Sequence, residues 1–346
     1  MTVRLAKQRR WCVVVADDHG PECVQPGLSE GVLSPILYSG FGEQLTLLQK
    51  ALIRAKSITP AEQVLVTAID EYRTYWEPHL WFVRPQNRFV SRTRSATLLT
   101  SAAAVLAIAR DCASNIVVVL PAHCFVANEG VLSAAIERVL ACMPGIPEGA
   151  ATLGMMDMEE SVDEDYLLAS RADKGAGAVI EARAHRPVSW VAKRLLQHDA
   201  MVASGIVVGY AAVLAAHIQR HWSALCVALS RVITAASEAG TENQFPSDLH
   251  RLVPRPALRS SPWSPPTFPM RAFRVYGSGW RSLHSARAAT KLSEGIRRIV
   301  RTQRGLMNTE GAVNDIPNAW PSHGASITAA PDLDDAVFAQ LPGGAR

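Results

Sequence analysis

The chain has 346 residues, of which 48% are hydrophobic and 19% are charged, so it is long enough to bury a full core and is predicted to be globular. Its net charge of +4 is small for this length and gives no reason to expect a nucleic-acid or membrane-surface protein. The six cysteines form no CxxC pair and follow no secretory signal, which favours a reduced, cytoplasmic protein with neither a disulfide framework nor a zinc site. The longest apolar stretch, 201–216, is shorter than the roughly 20 residues of a membrane span.

Short β-branched runs alternate with helical patterns over the first 240 residues. This alternation predicts an α/β fold with a doubly wound, mostly parallel, Rossmann-like sheet. The predicted strands are 11–16, 63–68, 81–84, 116–120, 151–155 and 205–209. The predicted helices are 44–55, 95–110, 129–142 and 211–231.

The composition changes after residue 253. Residues 254–269 contain six prolines, which excludes a regular helix and predicts a Pro-rich arm. Residues 270–304 contain nine basic residues and one acid, and the second half is predicted to form a basic helix with an apolar inner face, which needs no ligand. The alternative is that this helix makes the protein an interaction module. The predicted organisation is an α/β domain over 1–253, an arm and basic helix over 254–305 that complete it, and a disordered tail over 306–346.

Two stretches are candidate phosphate sites. The turn after the first strand places Asp17, Asp18 and Gly20 where α/β enzymes usually place glycines. Arg92 and Arg94 precede the helix predicted over 95–110, where backbone N–H groups and positive charge could hold a phosphate. The alternative there is helix capping with two solvated arginines.

The order of several segments resembles one known family, the sugar-1-phosphate nucleotidyltransferases, and most closely their mannose-1-phosphate guanylyltransferase (GDP-mannose pyrophosphorylase)-like branch. The similarity spans about residues 11–292, and no family signature is intact. The matching segments are VADDHGPEC (15–23), PILY (35–38), TLLQ (46–49), SRTRSATL (91–98), VVVLPAHCF (117–125), MVASG (201–205) and GWRS (279–282). For the segment SRTRSATL, an alternative register places the match at 87–88.

The resemblance implies a nucleotidyltransferase-type sheet and a set of binding positions. The nucleotide positions are Ala16, Asp17, Asp18, Gly20, Arg92 and Arg94, and the sugar positions are Arg186, Ser204 and Gly205. The family's catalytic groups are replaced. Its loop glycines fall on Asp17 and Asp18, its loop arginine on Glu22, its lysine on Ile36, and its two metal-binding aspartates on His123 and Ser282.

These replacements predict a degenerate site. Two like charges about 4 Å apart at an effective dielectric near 20 repel by about 4 kcal/mol, so acids in the loop oppose a triphosphate. We therefore expect transferase activity that is lost or strongly reduced, no catalytic residue, no metal or other cofactor, and a sugar nucleotide or an active paralogue as partner. The alternative is a divergent active enzyme that makes an NDP-sugar with Mg²⁺, using Arg92, Arg94, Arg186 and the loop acids. The residues leave open whether the protein is an enzyme.

Two further features have ordinary interpretations. The acidic run over 159–165 is expected to be a solvated surface loop. Cys124 follows a predicted strand, but no paired histidine and acid can be identified for it, so a structural cysteine is expected.

Overall fold

The computed structural model describes residues 8–16, 22–24, 33–38, 45–92, 97–156, 158–170, 177–253, 262–263, 268–283 and 288. All of them belong to one compact unit, residues 1–298. Within these ranges, no helix has both the length and the apolar character that crossing a membrane requires.

The described residues form strands and helices that alternate along most of the chain. The strands are β1 Arg10–Val15, β2 Glu22–Val24, β3 Leu33–Pro35, β4 Val64–Ile69, β5 Arg88–Ser91, β6 Ile116–Pro121, β7 Cys124–Phe125, β8 Ala150–Met155, β9 Tyr166–Ala169, β10 Ala178–Ala184, β11 Met201–Tyr210, β12 Asn243–Phe245, β13 Arg271–Val275 and β14 Arg281–Ser282. The α-helices are α1 Leu47–Ile58, α2 Arg73–Trp76, α3 Thr97–Asp111, α4 Glu129–Cys142, α5 Ser189–Gln197, α6 Ala211–His221 and α7 Ser223–Ala239.

Ten strands form one sheet in the order β12-β5-β4-β1-β6-β11-β8-β13-β10-β9. Strands β12, β5, β4, β1 and β6 are parallel, so their carboxyl ends share one edge. Strand β9 also pairs with β11, so β11, β8, β13, β10 and β9 form a closed ring of pairings. The predicted nucleotide positions follow the carboxyl ends of the parallel half.

The sheet is mixed, which corrects the prediction of a doubly wound, mostly parallel sheet. Strand β11 is antiparallel to both β6 and β8, and β10 is antiparallel to β9 and β13. Hydrophobic periodicity identifies a strand but carries no information about its direction. The parallel prediction failed because β9, β10 and α5 lie between β8 and β11 in the sequence, and they reverse the chain before β11.

The two faces of the sheet are covered by different helices because side chains alternate along each strand. In β1, Cys12 and Val14 join a core cluster that includes α1 and α4, whereas Val13 and Val15 join a second cluster with α3, α6 and α7. The sequence also sets helix ends. Thr46 and Gln49 form a capping box at the start of α1, which satisfies backbone groups that the helix cannot pair itself.

Two predicted elements are wrong in detail. Residues 81–84 form turns and no strand, because the Arg88 guanidinium binds the backbone carbonyls of Leu80 (2.8 Å) and Val83 (3.0 Å) and holds them in that shape. The strand of this region is β5. The helix predicted over 211–231 is two helices, interrupted at Trp222, whose φ of −140° and ψ of 55° are not helical.

The segment after residue 253 is described only in part. Trp263 and Phe268 are buried, and the Trp263 indole Nε1 donates to the Leu214 carbonyl at 3.1 Å, so these two residues pack against the core. The start of the predicted basic segment is strand β13. The rest of the Pro-rich arm, nearly all of the basic helix and the whole tail lie outside the described residues.

Candidate functional site

The carboxyl end of β1 is fixed by neighbouring strands. Ala16 is buried, and its N–H donates to the backbone oxygen of Thr67 at 3.1 Å and lies 3.2 Å from the Thr67 hydroxyl. The N–H of Ala122 donates to the Val15 carbonyl at 2.9 Å. The loop after β1 therefore begins at a well-defined point between β4 and β6 in the parallel half. The other predicted loop residues, Asp17, Asp18 and Gly20, lie outside the described residues.

Arg92 lies at the same edge of the sheet, after β5. Two strand spacings of about 4.8 Å separate β5 from β1. The Arg92 side chain is exposed, and its guanidinium donates to Gln244 Oε1 at 3.2 Å on the neighbouring strand β12. Arg94, its predicted companion, lies outside the described residues.

The predicted sugar segments are brought together by Asp165, the last residue of the acidic run. Its carboxylate Oδ1 accepts a hydrogen bond from the Arg186 backbone N–H at 3.1 Å, and its backbone oxygen accepts one from the N–H of Ala203 at 2.8 Å. Ser204 and Gly205 follow Ala203 directly. Arg186 and Ala203 are nearly twenty positions apart in the sequence, and Asp165 therefore holds the two segments together.

The chain bulges at Ser204 and Gly205. The pairing of β11 with β8 shifts register between Ala203 and Val207. The buried Ser204 hydroxyl donates to the Leu153 carbonyl at 2.7 Å and accepts from the Ile206 N–H at 3.0 Å, so this hydroxyl stabilises the bulge. Gly205 is exposed with a φ of 75°, and a Cβ there would lie 3.0 Å from Pro121 Cγ. The bulge thus exposes Gly205 beside the end of β6.

The Asp165 carboxylate lies between the Arg183 and His185 side chains. Its Oδ2 pairs with the Arg183 guanidinium, and its Oδ1 lies 2.7 Å from His185 Nδ1. Burial raises the pKa of Asp165, but the hydrogen bond and charge of Arg183, with smaller contributions from His185 and the Arg186 N–H, outweigh it and hold the pKa below its usual value. Asp165 is therefore ionised at neutral pH, and His185 and Arg186 beside it are exposed.

This cluster corrects the interpretation of residues 159–165 as a solvated loop. Glu164 is 8% exposed, and the Asp165 side chain is 17% exposed. Sequence reasoning missed Asp165, Arg183 and His185 as site residues. One signal could have indicated Asp165. It is the last acid of residues 159–165 and directly precedes strand β9, and a residue at the end of a strand is held in place by the sheet.

The two positions that the resemblance matches to metal-binding aspartates also meet. Strands β7 and β14 pair antiparallel, with Ser282 opposite Cys124, and the Leu283 N–H donates to the His123 carbonyl at 2.9 Å. His123 thus lies directly before β7, on a chain segment adjacent to the one that carries Ser282. Their donor set does not fit Mg²⁺, which prefers carboxylate and other hard oxygen ligands. Among the described residues, no three His, Cys, Asp or Glu side chains are grouped so that they could hold a metal ion.

Cys124 is a structural cysteine, as expected. Its side chain is buried, and burial is the main reason why the pKa of its thiol is raised to about 12. At neutral pH the thiol is protonated, whereas a nucleophile would need the thiolate.

Comparisons with known proteins agree with this geometry at the level of the fold. No protein-family model matches the chain, and no curated protein matches it. The crystal structure of mannose-1-phosphate geranyltransferase from Thermus thermophilus is similar with a TM-score of 0.59 and 18% identity, covering 82% of this chain and 79% of that one. Mannose-6-phosphate isomerase from Helicobacter pylori is similar with a TM-score of 0.54 and 11% identity, covering 79% of this chain and 99% of that one.

The chain shares the mixed α/β fold of these two proteins. At these identities the likeness concerns the fold alone. Within this fold, Asp165 joins the backbone of Arg186 to that of Ala203, which precedes Ser204 and Gly205, and Ala16 and Arg92 lie at the same edge of the parallel half. Their roles in binding stay predictions.

Proposed function

We propose that this nucleotidyltransferase-like protein has lost most or all transferase activity and binds a sugar nucleotide, alone or together with an active paralogue. The proposed loss of activity rests on His123 and Ser282, which lie on neighbouring chain segments at β7 and β14. The two segments that the resemblance matches to the metal site lie side by side, but neither position supplies a carboxylate. Phosphoryl transfer depends on charge neutralisation at the reacting phosphate, so this replacement removes a main source of catalysis.

The binding part rests on Asp165. It holds the backbone of Arg186 and of Ala203 at once, and it keeps His185 and Arg183 beside them. The exposed Arg186 and the exposed Gly205 backbone suit a ligand with hydroxyl and phosphate groups. Both structural neighbours carry mannose phosphates in their names, which supports a hexose phosphate as part of that ligand.

The contacts of Asp165 with Arg186 and Ala203 are also compatible with the second candidate function, a divergent active mannose-1-phosphate guanylyltransferase-like enzyme. In that case Arg92, Arg94, Arg186 and the loop acids would replace the missing contacts. The two candidates differ in one measurable quantity, the release of pyrophosphate from GTP in the presence of mannose 1-phosphate and Mg²⁺ or Mn²⁺.

The test combines that assay with thermal unfolding of the full chain. We expect GDP-mannose to raise the melting temperature, because a ligand that binds only the folded state stabilises it by mass action. We expect no pyrophosphate release above background. Turnover at an ordinary enzymatic rate would replace the first candidate by the second, and no stabilisation by GDP-mannose, GTP or mannose 1-phosphate would overturn the binding proposal.

A restored variant tests the metal argument directly. The double substitution His123→Asp and Ser282→Asp returns two carboxylates to adjacent segments, and the full chain should then gain Mn²⁺ binding measurable by calorimetry. The matched control, His123→Asn with Ser282→Asn, adds no charge and should not bind Mn²⁺. Equal Mn²⁺ binding by both variants, or by neither, would contradict the view that these two positions form an eroded metal framework.

A further inference from the structure

The outer face of helix α7 lines a groove beside helices α3 and α6, with a volume of about 700 Å³. Five of the groove residues recur along α7 at helical spacing, so they lie on one stripe of the helix surface. This set, which we name the α7 stripe, consists of Val227, Arg231, Thr234, Ala235 and Glu238.

The α7 stripe is open to solvent, whereas the opposite face of the helix is packed. Leu229 on that opposite face is fully buried in the core. Val227 is 56% exposed, so the stripe offers apolar surface that a partner could bury. Arg231 and Glu238 are exposed as well. The described part of the chain therefore leaves most of this helix face uncovered.

The stripe carries two opposite charges. Neither Arg231 nor Glu238 forms an ion pair with a described residue. They are seven residues apart, which is about 10 Å along the helix axis, so they cannot pair with each other. Arg110 of α3, a further cation beside the stripe, already donates to Thr234 Oγ1 at 2.9 Å. Arg231 and Glu238 are thus the charges that a partner would meet.

A second α7 helix in antiparallel orientation would pair both charges at once. When a two-fold axis passes between Thr234 and Ala235, Arg231 of each copy faces Glu238 of the partner subunit, because positions 231 and 238 are equally far from the axis. A parallel arrangement would instead place like charges opposite each other. Thr234 and Ala235 are small, which allows the two helix axes to approach closely at the crossing point.

The stripe is therefore complementary to itself, which is the property that a two-fold interface requires. We infer that the α7 stripe binds a second copy of this chain, with the two α7 helices antiparallel and two ion pairs between Arg231 and Glu238 of opposite copies. This interface is separate from the proposed sugar-nucleotide site.

Sedimentation equilibrium of the full chain tests this inference. We expect a monomer–dimer equilibrium at micromolar concentration. Arg231→Glu replaces both attractive pairs by repulsive ones and should raise the dissociation constant of the dimer by about 10- to 100-fold. Glu238→Arg should have the same effect, because it creates the opposite repulsion. Arg194→Glu, a charge reversal on the exposed face of α5, is the matched control and should leave the dissociation constant unchanged.

Mixing the two single variants separates pairing between copies from any effect within one chain. In an equal mixture the acidic stripe of one variant faces the basic stripe of the other, so heterodimers should form with about the dissociation constant of the wild type. The double variant Arg231→Glu with Glu238→Arg exchanges the two charges and should also dimerise as the wild type does.

Four results would overturn the inference. They are a wild type that stays monomeric, a dimer that both single reversals leave unchanged, an equal mixture that forms no heterodimer, and a double variant that does not dimerise. Neither nucleotide binding nor transferase activity enters these measurements, so their outcome does not depend on the proposed function.

Discussion

The carboxylate of Asp165 accepts a hydrogen bond of 3.1 Å from the backbone N–H of Arg186, one of the sugar positions that the resemblance implies. Arg186 has a φ of 39°, a conformation that non-glycine residues rarely adopt and that costs about 1–3 kcal/mol. The hydrogen bond offsets part of this cost. Asp165 is thus a positioning residue, which fixes the backbone at Arg186 and need not touch a ligand itself.

Replacing Asp165 by Asn should lower the free energy of unfolding by about 1–3 kcal/mol, because it removes a half-buried charge that is hydrogen bonded to Arg183. Urea unfolding followed by circular dichroism measures the change. Glu159→Gln, a similar substitution on a 79% exposed side chain in the same acidic run, should change stability by less than about 0.5 kcal/mol.

The stability that Asp165 contributes should also depend on pH. The pKa of Asp165 is lowered in the folded state, so its stabilisation is present above the unfolded value of about 3.9 and is lost as the pH falls through the folded value. The stability difference between wild type and Asp165→Asn should therefore shrink below about pH 4. A difference that stays constant down to about pH 2 would show that Asp165 acts by packing alone.

Gly205→Ala should destabilise the protein by about 1–3 kcal/mol, because the residue has a φ of 75° and the new methyl group would lie 3.0 Å from Pro121 Cγ. Gly145→Ala is the matched control, since no atom lies within 4 Å of its added Cβ and its φ is not in the left-handed region. Melting temperatures of the two variants check this. Equal losses would show that the bulge adapts to a side chain.

The sequence was sufficient to predict the elements whose own residues determine them. Helix α4 has the predicted bounds, because Asn128 caps it and its apolar residues recur at helical spacing. Strands β1, β4, β6 and β8 lie within a residue of their predicted ends, because each is a short run of mostly buried, apolar residues. The direction of β11 could not be predicted, because it depends on the hairpin of β9 and β10, whose half-exposed residues give a weak periodic signal.

Only those parts of the candidate site that match a family segment could be predicted from the sequence. The segments with Arg186 and with Ser204 and Gly205 could be found from the resemblance. Asp165 could not, because its importance arises from three donors that approach it from β10 and from the residues after it. A local acidic composition was a poor guide to burial, since the same run contains the exposed Glu159 and the buried Glu164.

The pair formed by Arg54 and Glu129 should contribute more stability than the surface pairs. The Arg54 side chain is 2% exposed, and its guanidinium makes two hydrogen bonds to the Glu129 carboxylate, of 2.6 and 2.9 Å. Glu129→Ala leaves a buried cation without its partner and should cost about 1–3 kcal/mol, a range reduced because Glu129 is 44% exposed. Glu137→Ala, which breaks the exposed pair with Arg10, should cost less than about 1 kcal/mol. Similar costs in urea unfolding would contradict this ranking.

Stability should fall between about pH 7 and pH 5 in a way that depends on His217. This histidine is buried on α6, with the Phe268 ring 4.7 Å and the His221 ring 4.5 Å from its own. Burial is the main cause that lowers its pKa, and the neighbouring His221 and Arg220 lower it further. Above the unfolded pKa of about 6.5 both states hold a neutral ring, whereas below it the unfolded chain binds the proton more readily, so acid favours unfolding.

His217→Gln removes that titration and should flatten the decrease of melting temperature over this pH range. A smaller slope should remain, because His79 and His250 also have lowered pKa values. His185→Gln is the matched control, since His185 is 72% exposed and its ring faces the Asp165 carboxylate.

If protonation of His217 loosens the contact with Phe268, the wild type should also show faster proteolysis near Trp263 and Phe268 at about pH 5 than at about pH 7, and His217→Gln should not. A variant with the same slope as wild type would place the pH sensitivity elsewhere in the fold.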